Sequence, residues 1–197
     1  MKIKMYLVLL IIPMLACSFL FSQTSPAQQV PTAEILVTNL PEIPTAAIVA
    51  TDTPAVSNAE ILVSYDDFRV VRVHPEDGDL QTLLKIEAQY ATTLGLMPVV
   101  EFDATWCPPC QAIDKAIKEK NELMLNAYRG TYIVKFDVDE WGWNGGVLEN
   151  FNFEFIPVYF KVDANGEQTG ETINGGAWGA DIPENIAPVM DSFFHNN

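Results

Sequence analysis

The sequence predicts an α/β fold in which a central sheet carries helices on both faces. Three observations point there. Short apolar, β-branched runs alternate along the chain with stretches of helical spacing, the pattern of strands and helices in turn. Gly130 and the run Asp163-Ala-Asn-Gly166 supply turn signals between them. Apolar residues make up 49% of the chain and charged ones 19%, which fits a packed core rather than a disordered chain.

Taken in order, residues 68–73 alternate around two arginines and read as a first strand. Residues 79–94 place Leu80, Leu83, Leu84, Ile86, Ala88 and Ala91 at helical spacing, behind an acidic start that suits the positive end of a helix. Residues 97–104 form a buried-strand run, and 108–129 a long amphipathic helix stopped by Gly130. Residues 131–138 are β-branched and strand-like. An irregular or helical connection follows, and it contains Trp141 and Trp143, read as core cover or as an aromatic edge for substrate. A strand over 157–162 then turns at Asp163–Gly166 into a strand over 167–173. Residues 181–194 close the chain as a helix, with Pro183 tolerated in its first turn. The domain therefore covers 60–197.

The N-terminus has a different character. A basic start, Met1-Lys-Ile-Lys4, precedes an apolar run that ends at Ala16-Cys17, the layout of an export signal. Pro13 interrupts the run, which is shorter than the roughly 20 residues that span a bilayer. The segment 1–22 resembles a bacterial lipoprotein signal, which implies that Cys17 is acylated and anchors the chain. Met14 and Leu15 depart from that pattern. An uncleaved anchor and an ordinary secretory signal remain open, and each places the rest of the chain outside the cytoplasm. Residues 23–59 carry five prolines, three acids and no Lys or Arg, so they read as an extended linker. Stretched out, about 37 residues reach roughly 120 Å. The pentapeptide Ala-Glu-Ile-Leu-Val occurs at 33–37 and again at 59–63, too short a match to define a repeat architecture. A formal net charge of −15 argues against nucleic acid, which needs clustered Lys and Arg, and against electrostatic docking on anionic lipid.

The chemistry concentrates at Trp106-Cys107-Pro108-Pro109-Cys110, between a buried strand and a helix. A zinc site needs a second pair of ligands, and the remaining candidates, Cys17, His74 and His195, lack ligand spacing; no metal is expected. Redox chemistry has a direct physical basis. Two intervening residues allow a small disulfide ring across the first helical turn, and Cys107 at a helix N-terminus meets unpaired N–H groups that stabilise a thiolate. The thiolate attacks a disulfide, and the second thiol resolves the mixed disulfide. Pro108 and Pro109 fit a helix start, where the missing N–H groups have no partner anyway.

The run from Val99 to Cys110, Val-Val-Glu-Phe-Asp-Ala-Thr-Trp-Cys-Pro-Pro-Cys, resembles the strand-to-active-site signature of the thioredoxin superfamily. The resemblance spans roughly residues 68–194 and implies a thioredoxin-like fold with a mixed sheet. It implies roles as well. Cys107 is the nucleophile, Cys110 the resolving thiol, and Glu101, six residues before Cys107, a buried carboxylate that exchanges a proton with Cys110. Lys135 accompanies that carboxylate and tunes it. Phe155-Ile156-Pro157 matches a cis-proline loop, with the Ile156 backbone pairing an extended substrate beside Cys107. Trp106 serves both packing and the active-site rim. Gly175 and Gly176 suit the turn before the last helix. This chain departs from the pattern at Asp103, where a large aromatic is common, and at Gln111, Lys115 and Val158. By strand alternation Asp103 shares the face of Glu101, so it competes for the proton or raises the cysteine pKa by repulsion.

These readings converge on an extracytoplasmic thiol–disulfide oxidoreductase, with the Cys107–Cys110 dithiol as the whole redox centre and no cofactor. Its expected partners are exported proteins carrying thiols or disulfides and a membrane or thiol electron donor or acceptor. The expected state is a monomer, held at the membrane by the lipid on Cys17. The alternative is a non-catalytic module whose groove holds an exported protein or a soft metal such as Cu(I).

Overall fold

A computed structural model describes residues 58–143 and 150–196. Cys17, the signal, the pentapeptide at 33–37 and most of the linker lie outside the described residues. All described residues belong to one compact unit, Val49–Asn197.

Six strands form one mixed sheet: β1 (Glu60–Ser64), β2 (Arg69–Arg72), β3 (Met97–Asp103), β4 (Thr131–Asp137), β5 (Val158–Val162) and β6 (Gln168–Asn174), in the order β1-β2-β4-β3-β5-β6. The central strands β2, β4 and β3 run parallel; β1, β5 and β6 pair antiparallel. Helix α1 (Leu80–Thr93) lies on one face; α2 (Pro108–Lys118), α3 (Glu122–Tyr128) and α5 (Pro183–His195) lie on the other. A single turn, α4 (Val138–Trp141), leads out of β4. This is the expected α/β architecture with helices on both faces.

Strand alternation explains the two cores. Val71, Val100, Phe102, Val134 and Phe136 point toward Leu80, Leu84 and Ala88 of α1. Val70, Val99, Ile133 and Tyr159 point toward Ile113 and Ile117 of α2, Met124 of α3 and Ile186 and Met190 of α5. Each such buried side chain contributes roughly 1.5–3 kcal/mol through removal from water.

Two expectations need correction. The strand at 68–73 is the second, because residues 60–64 form β1 ahead of it and turn back through a Tyr65 N–H that donates to the Phe68 carbonyl at 2.9 Å. Thus the second copy of the pentapeptide supplies most of an edge strand. The long helix over 108–129 is two helices. Lys120 takes φ 60°, and the Asn121 side chain accepts from the N–H groups of Leu123 and Met124 at 3.1 and 3.2 Å. That is an N-cap, which starts α3 afresh.

Candidate active site

Strand β3 ends at Asp103 and α2 begins at Pro108, so four residues make the turn that carries the dithiol. The Cys107 N–H donates to the Ala104 carbonyl at 3.1 Å, and the Gln111 side chain donates to the Thr105 carbonyl at 2.5 Å. Cys107 is the N-cap of α2, its Sγ accepting from the Cys110 N–H at 3.3 Å. The two cysteines are joined as a disulfide, and both are buried. The N–H that reaches Cys107 Sγ in this state is also placed to stabilise a thiolate there once the bond is reduced.

Around the buried pair the rim is aromatic. Trp106 is 54% exposed; its indole N–H donates to Asp139 Oδ2 at 2.7 Å, and its ring stacks on Trp143 with centroids 6.3 Å apart. Trp143 in turn lies 6.2 Å from the ring of Phe153. Trp141 behaves differently. It is buried, with its N–H donating to the Val73 carbonyl at 3.2 Å. The two tryptophans of one short segment therefore divide, Trp141 into the core and Trp143 onto the rim beside Trp106. Phe155 is 64% exposed, Ile156 half-buried and Pro157 buried, and the Ile156–Pro157 peptide is cis. Gly175 closes against this loop, its N–H donating to the Pro157 carbonyl at 2.9 Å. A Cβ on Gly175 would sit 3.2 Å from Pro157 Cδ, so glycine permits the close approach.

On the sheet face covered by α2, register builds a row of polar residues across four strands. Arg72 on β2 stands beside Lys135 on β4, Lys135 beside Glu101 on β3, and Glu101 beside Tyr159 on β5. One step further along, Asp103 stands beside Asp137. Lys135 is fully buried, and its Nζ meets three carboxylates: Asp114 at 2.6 Å, Asp103 at 2.9 Å and Glu101 at 3.3 Å. Arg72 grips Asp103 with both terminal nitrogens, at 3.0 and 2.8 Å, and lies 3.9 Å from Asp137.

The electrostatics follow from who is bonded. Burial pushes the Glu101 carboxyl up, Lys135 pulls it back in part, and Asp103 and Asp114 add repulsion; the result is about 7. Oε1 of Glu101 has no hydrogen-bond partner. Asp103 goes the other way. Burial raises its carboxyl too, but Lys135 and Arg72 outweigh burial and hold it below its ordinary value. The two carboxylates on one strand face thus separate into one that titrates near neutrality and one that stays ionised. Burial would lower Lys135, yet Glu101, Asp103 and Asp114 raise it, so it remains a cation throughout.

The structure brings Glu101 and Lys135 together in register and puts Cys107 and Cys110 at the start of the helix that covers them. Arg72 and Asp114 belong to the same cluster and were not singled out from sequence. The available signal was helical spacing, since Asp114 follows Cys110 by one turn and shares its face of α2.

The family-model match agrees with this architecture. The thioredoxin family model matches residues 87–187, just over half of the 197-residue chain. A TPR repeat-containing thioredoxin of Oryza sativa is 28% identical over 54% of this chain and 30% of its own length. A thioredoxin of Alternaria alternata is 30% identical over 40% of this chain and 60% of its own. This chain thus spans less than two thirds of either relative. Among solved structures, oxidised thioredoxin O2 of Arabidopsis thaliana is 23% identical over 66% of this chain and 96% of its own, with a TM-score of 0.38.

Proposed function

Because the chain belongs to the thioredoxin family, we propose that it is a thiol–disulfide oxidoreductase acting outside the cytoplasm on exported proteins. The observation that carries this reading is the Cys107–Cys110 disulfide at the N-terminus of α2. In the reducing direction, the Cys107 thiolate attacks one sulfur of a client disulfide and releases the first client thiolate. Cys110 then gives its proton to Glu101, attacks Cys107 Sγ and releases the second client thiolate. Two electrons pass to the client, and the enzyme is left as the disulfide. The oxidising direction is the reverse. A carboxyl that titrates at about 7 suits the proton transfer, because it neither holds nor refuses a proton firmly at neutral pH.

Trp106 and the Ile156–Pro157 loop frame the client, and Pro108 and Pro109 pre-set the helix start. No cofactor enters the scheme. The basic-apolar-small layout that ends at Cys17 supports export and lipid anchoring, and the proline-rich linker supports reach away from the membrane. A thiol protein or membrane electron carrier recycles the dithiol.

Equilibrating the full chain with glutathione buffers tests the reading. A potential near about −270 mV marks a reductase, one near about −120 mV an oxidant. In Cys110→Ser, mixed disulfides through Cys107 should accumulate on exported proteins. Absence of two-electron exchange at every buffer ratio would sink the enzyme and favour a pure binding module, and trapping only cytoplasmic proteins would remove the export reading.

A further inference from the structure

We infer that Asp114 is a positioning residue: it draws the Lys135 ammonium toward α2 and thereby leaves Glu101 free to take a proton. The inference rests on the reading of Glu101 as proton acceptor for Cys110, and it adds the residue that sets when Glu101 can accept.

Lys135 Nζ carries three protons. Its shortest partner is Asp114 Oδ1 at 2.6 Å, then Asp103 Oδ2 at 2.9 Å. Glu101 comes last at 3.3 Å, outside hydrogen-bond geometry, and its Oε1 stays unpartnered. The ordering matters because Glu101 is the acid least able to look elsewhere. Its side chain is 2% exposed, whereas that of Asp114 is 51% exposed. Asp103 has Arg72 as a second cation. Four carboxylates, Glu101, Asp103, Asp114 and Asp137, face two cations, Lys135 and Arg72, so the excess of negative charge favours taking up a proton, and the most buried and least bonded carboxylate is where that proton rests.

Every element packed against Glu101 contributes to this balance. Lys135 and Asp137 come from β4, Asp103 from β3 itself, Arg72 from β2, Tyr159 from β5, Tyr128 from α3 and Asp114 from α2. The two tyrosines bond each other at 3.1 Å; burial and the Glu101 charge push both phenols well above their ordinary value, so neither titrates near neutrality. Asp114 is the member on the helix that bears the dithiol, so it joins the redox turn to the buried proton acceptor. It also lies half in solvent, and its removal still leaves the buried Lys135 ammonium with Asp103 at 2.9 Å and Glu101 at 3.3 Å.

The test is a pH titration of the Glu101 side-chain carboxyl by ¹³C NMR in the oxidised full chain. In Asp114→Asn, Lys135 swings back to Glu101 and the midpoint falls from about 7 by about one unit or more; in a Lys135→Met background, where only the direct repulsion of Asp114 is left to lose, the same change moves the midpoint less, and an equal fall there overturns the inference. Asp114→Glu restores it. Glu119→Gln, which removes an exposed acid near the end of the same helix, leaves it unmoved. An unchanged or raised midpoint in Asp114→Asn overturns the inference, as does an equal fall in Glu119→Gln. The carboxyl midpoint is read whether or not the protein exchanges disulfides with clients, so its failure is separate from failure of the oxidoreductase reading.

Discussion

Lys135 offers three ammonium protons to three carboxylates, and the chemistry of the site depends on how they are shared. Arg72 decides the share of Asp103. It takes both carboxylate oxygens and stands where a buried acid would otherwise compete with Glu101 for Lys135. Replacing it by leucine leaves Asp103 buried with Lys135 as its one close cation, and breaking such a pair costs about 3 kcal/mol or more. Urea unfolding of Arg72→Leu at pH 7 should show that loss. At pH 4 the loss should shrink, because Asp103, no longer held down by Arg72, takes a proton. The double variant Arg72→Leu, Asp103→Leu should recover most of the stability; a single variant that costs under about 1 kcal/mol would remove the pair from the account. Glu101 and Lys135 were legible through the family resemblance, Glu101 standing six residues before Cys107 and Lys135 opening the run Lys-Phe-Asp-Val-Asp at 135–139. Arg72 and Asp114 were not, for physical reasons. The partnership of Arg72 depends on which strand pairs with β4, and a lone acid on an amphipathic helix looks solvated until the sheet beneath it is known.

Apolar periodicity runs through 108–129, so the sequence reads as one helix, yet the chain breaks at Lys120. The break was written in Asn121, whose side chain caps two N–H groups of α3, and a capping residue inside an apolar pattern is easily taken for a helix-surface polar residue. Its consequence is local: α3 restarts in a new direction and packs Met124, Ala127 and Tyr128 into the core. Lys120 bears the cost, since its left-handed backbone brings Cβ toward a carbonyl. Lys120→Gly should therefore raise the unfolding midpoint, by about 0.5–1 kcal/mol after allowance for the greater freedom of glycine in the unfolded chain. A fall in the midpoint would mean that the lysine side chain, and not its backbone, holds this corner. Strand β1 escaped notice for a related reason. Ile61 and Leu62 are both exposed, so β1 lacks the in–out alternation by which a half-buried strand is recognised. Long periodic elements were legible; junctions governed by one capping residue or one edge were not.

At the scale of the molecule, the buried acids set the pH of greatest stability. Asp103 is depressed below 3.8 in the fold, so its contribution is present above the unfolded value and is lost as pH falls through the folded one. Glu101 is raised from 4.5 to about 7, so the folded state holds a proton that the unfolded state has released, and stability declines as pH climbs across that interval. Over the interval the decline amounts to about 3 kcal/mol, at about 1.4 kcal/mol per pH unit for one proton. His74 adds a smaller effect of the same sign. Its hydrogen bond to Glu140 raises it above 6.5, so its contribution is complete below that pH and is lost as pH rises through the folded value. Lys135 is raised above 10.5 and loses its contribution only in strong base, outside this range. The formal charge of −15 acts in the same direction, because each carboxylate protonated on acidification relieves self-repulsion. Stability of the oxidised protein should therefore peak at about pH 5, between the two carboxyl transitions, and fall toward pH 8. Urea unfolding at a series of pH values measures the curve, and Glu101→Gln, which cannot release a proton, should flatten most of the decline between pH 5 and 8. A wild-type optimum at or above pH 7, or a variant that keeps the full slope, would show that the Glu101 carboxyl is not raised toward neutrality in the folded protein and is too weak a base to take the Cys110 proton.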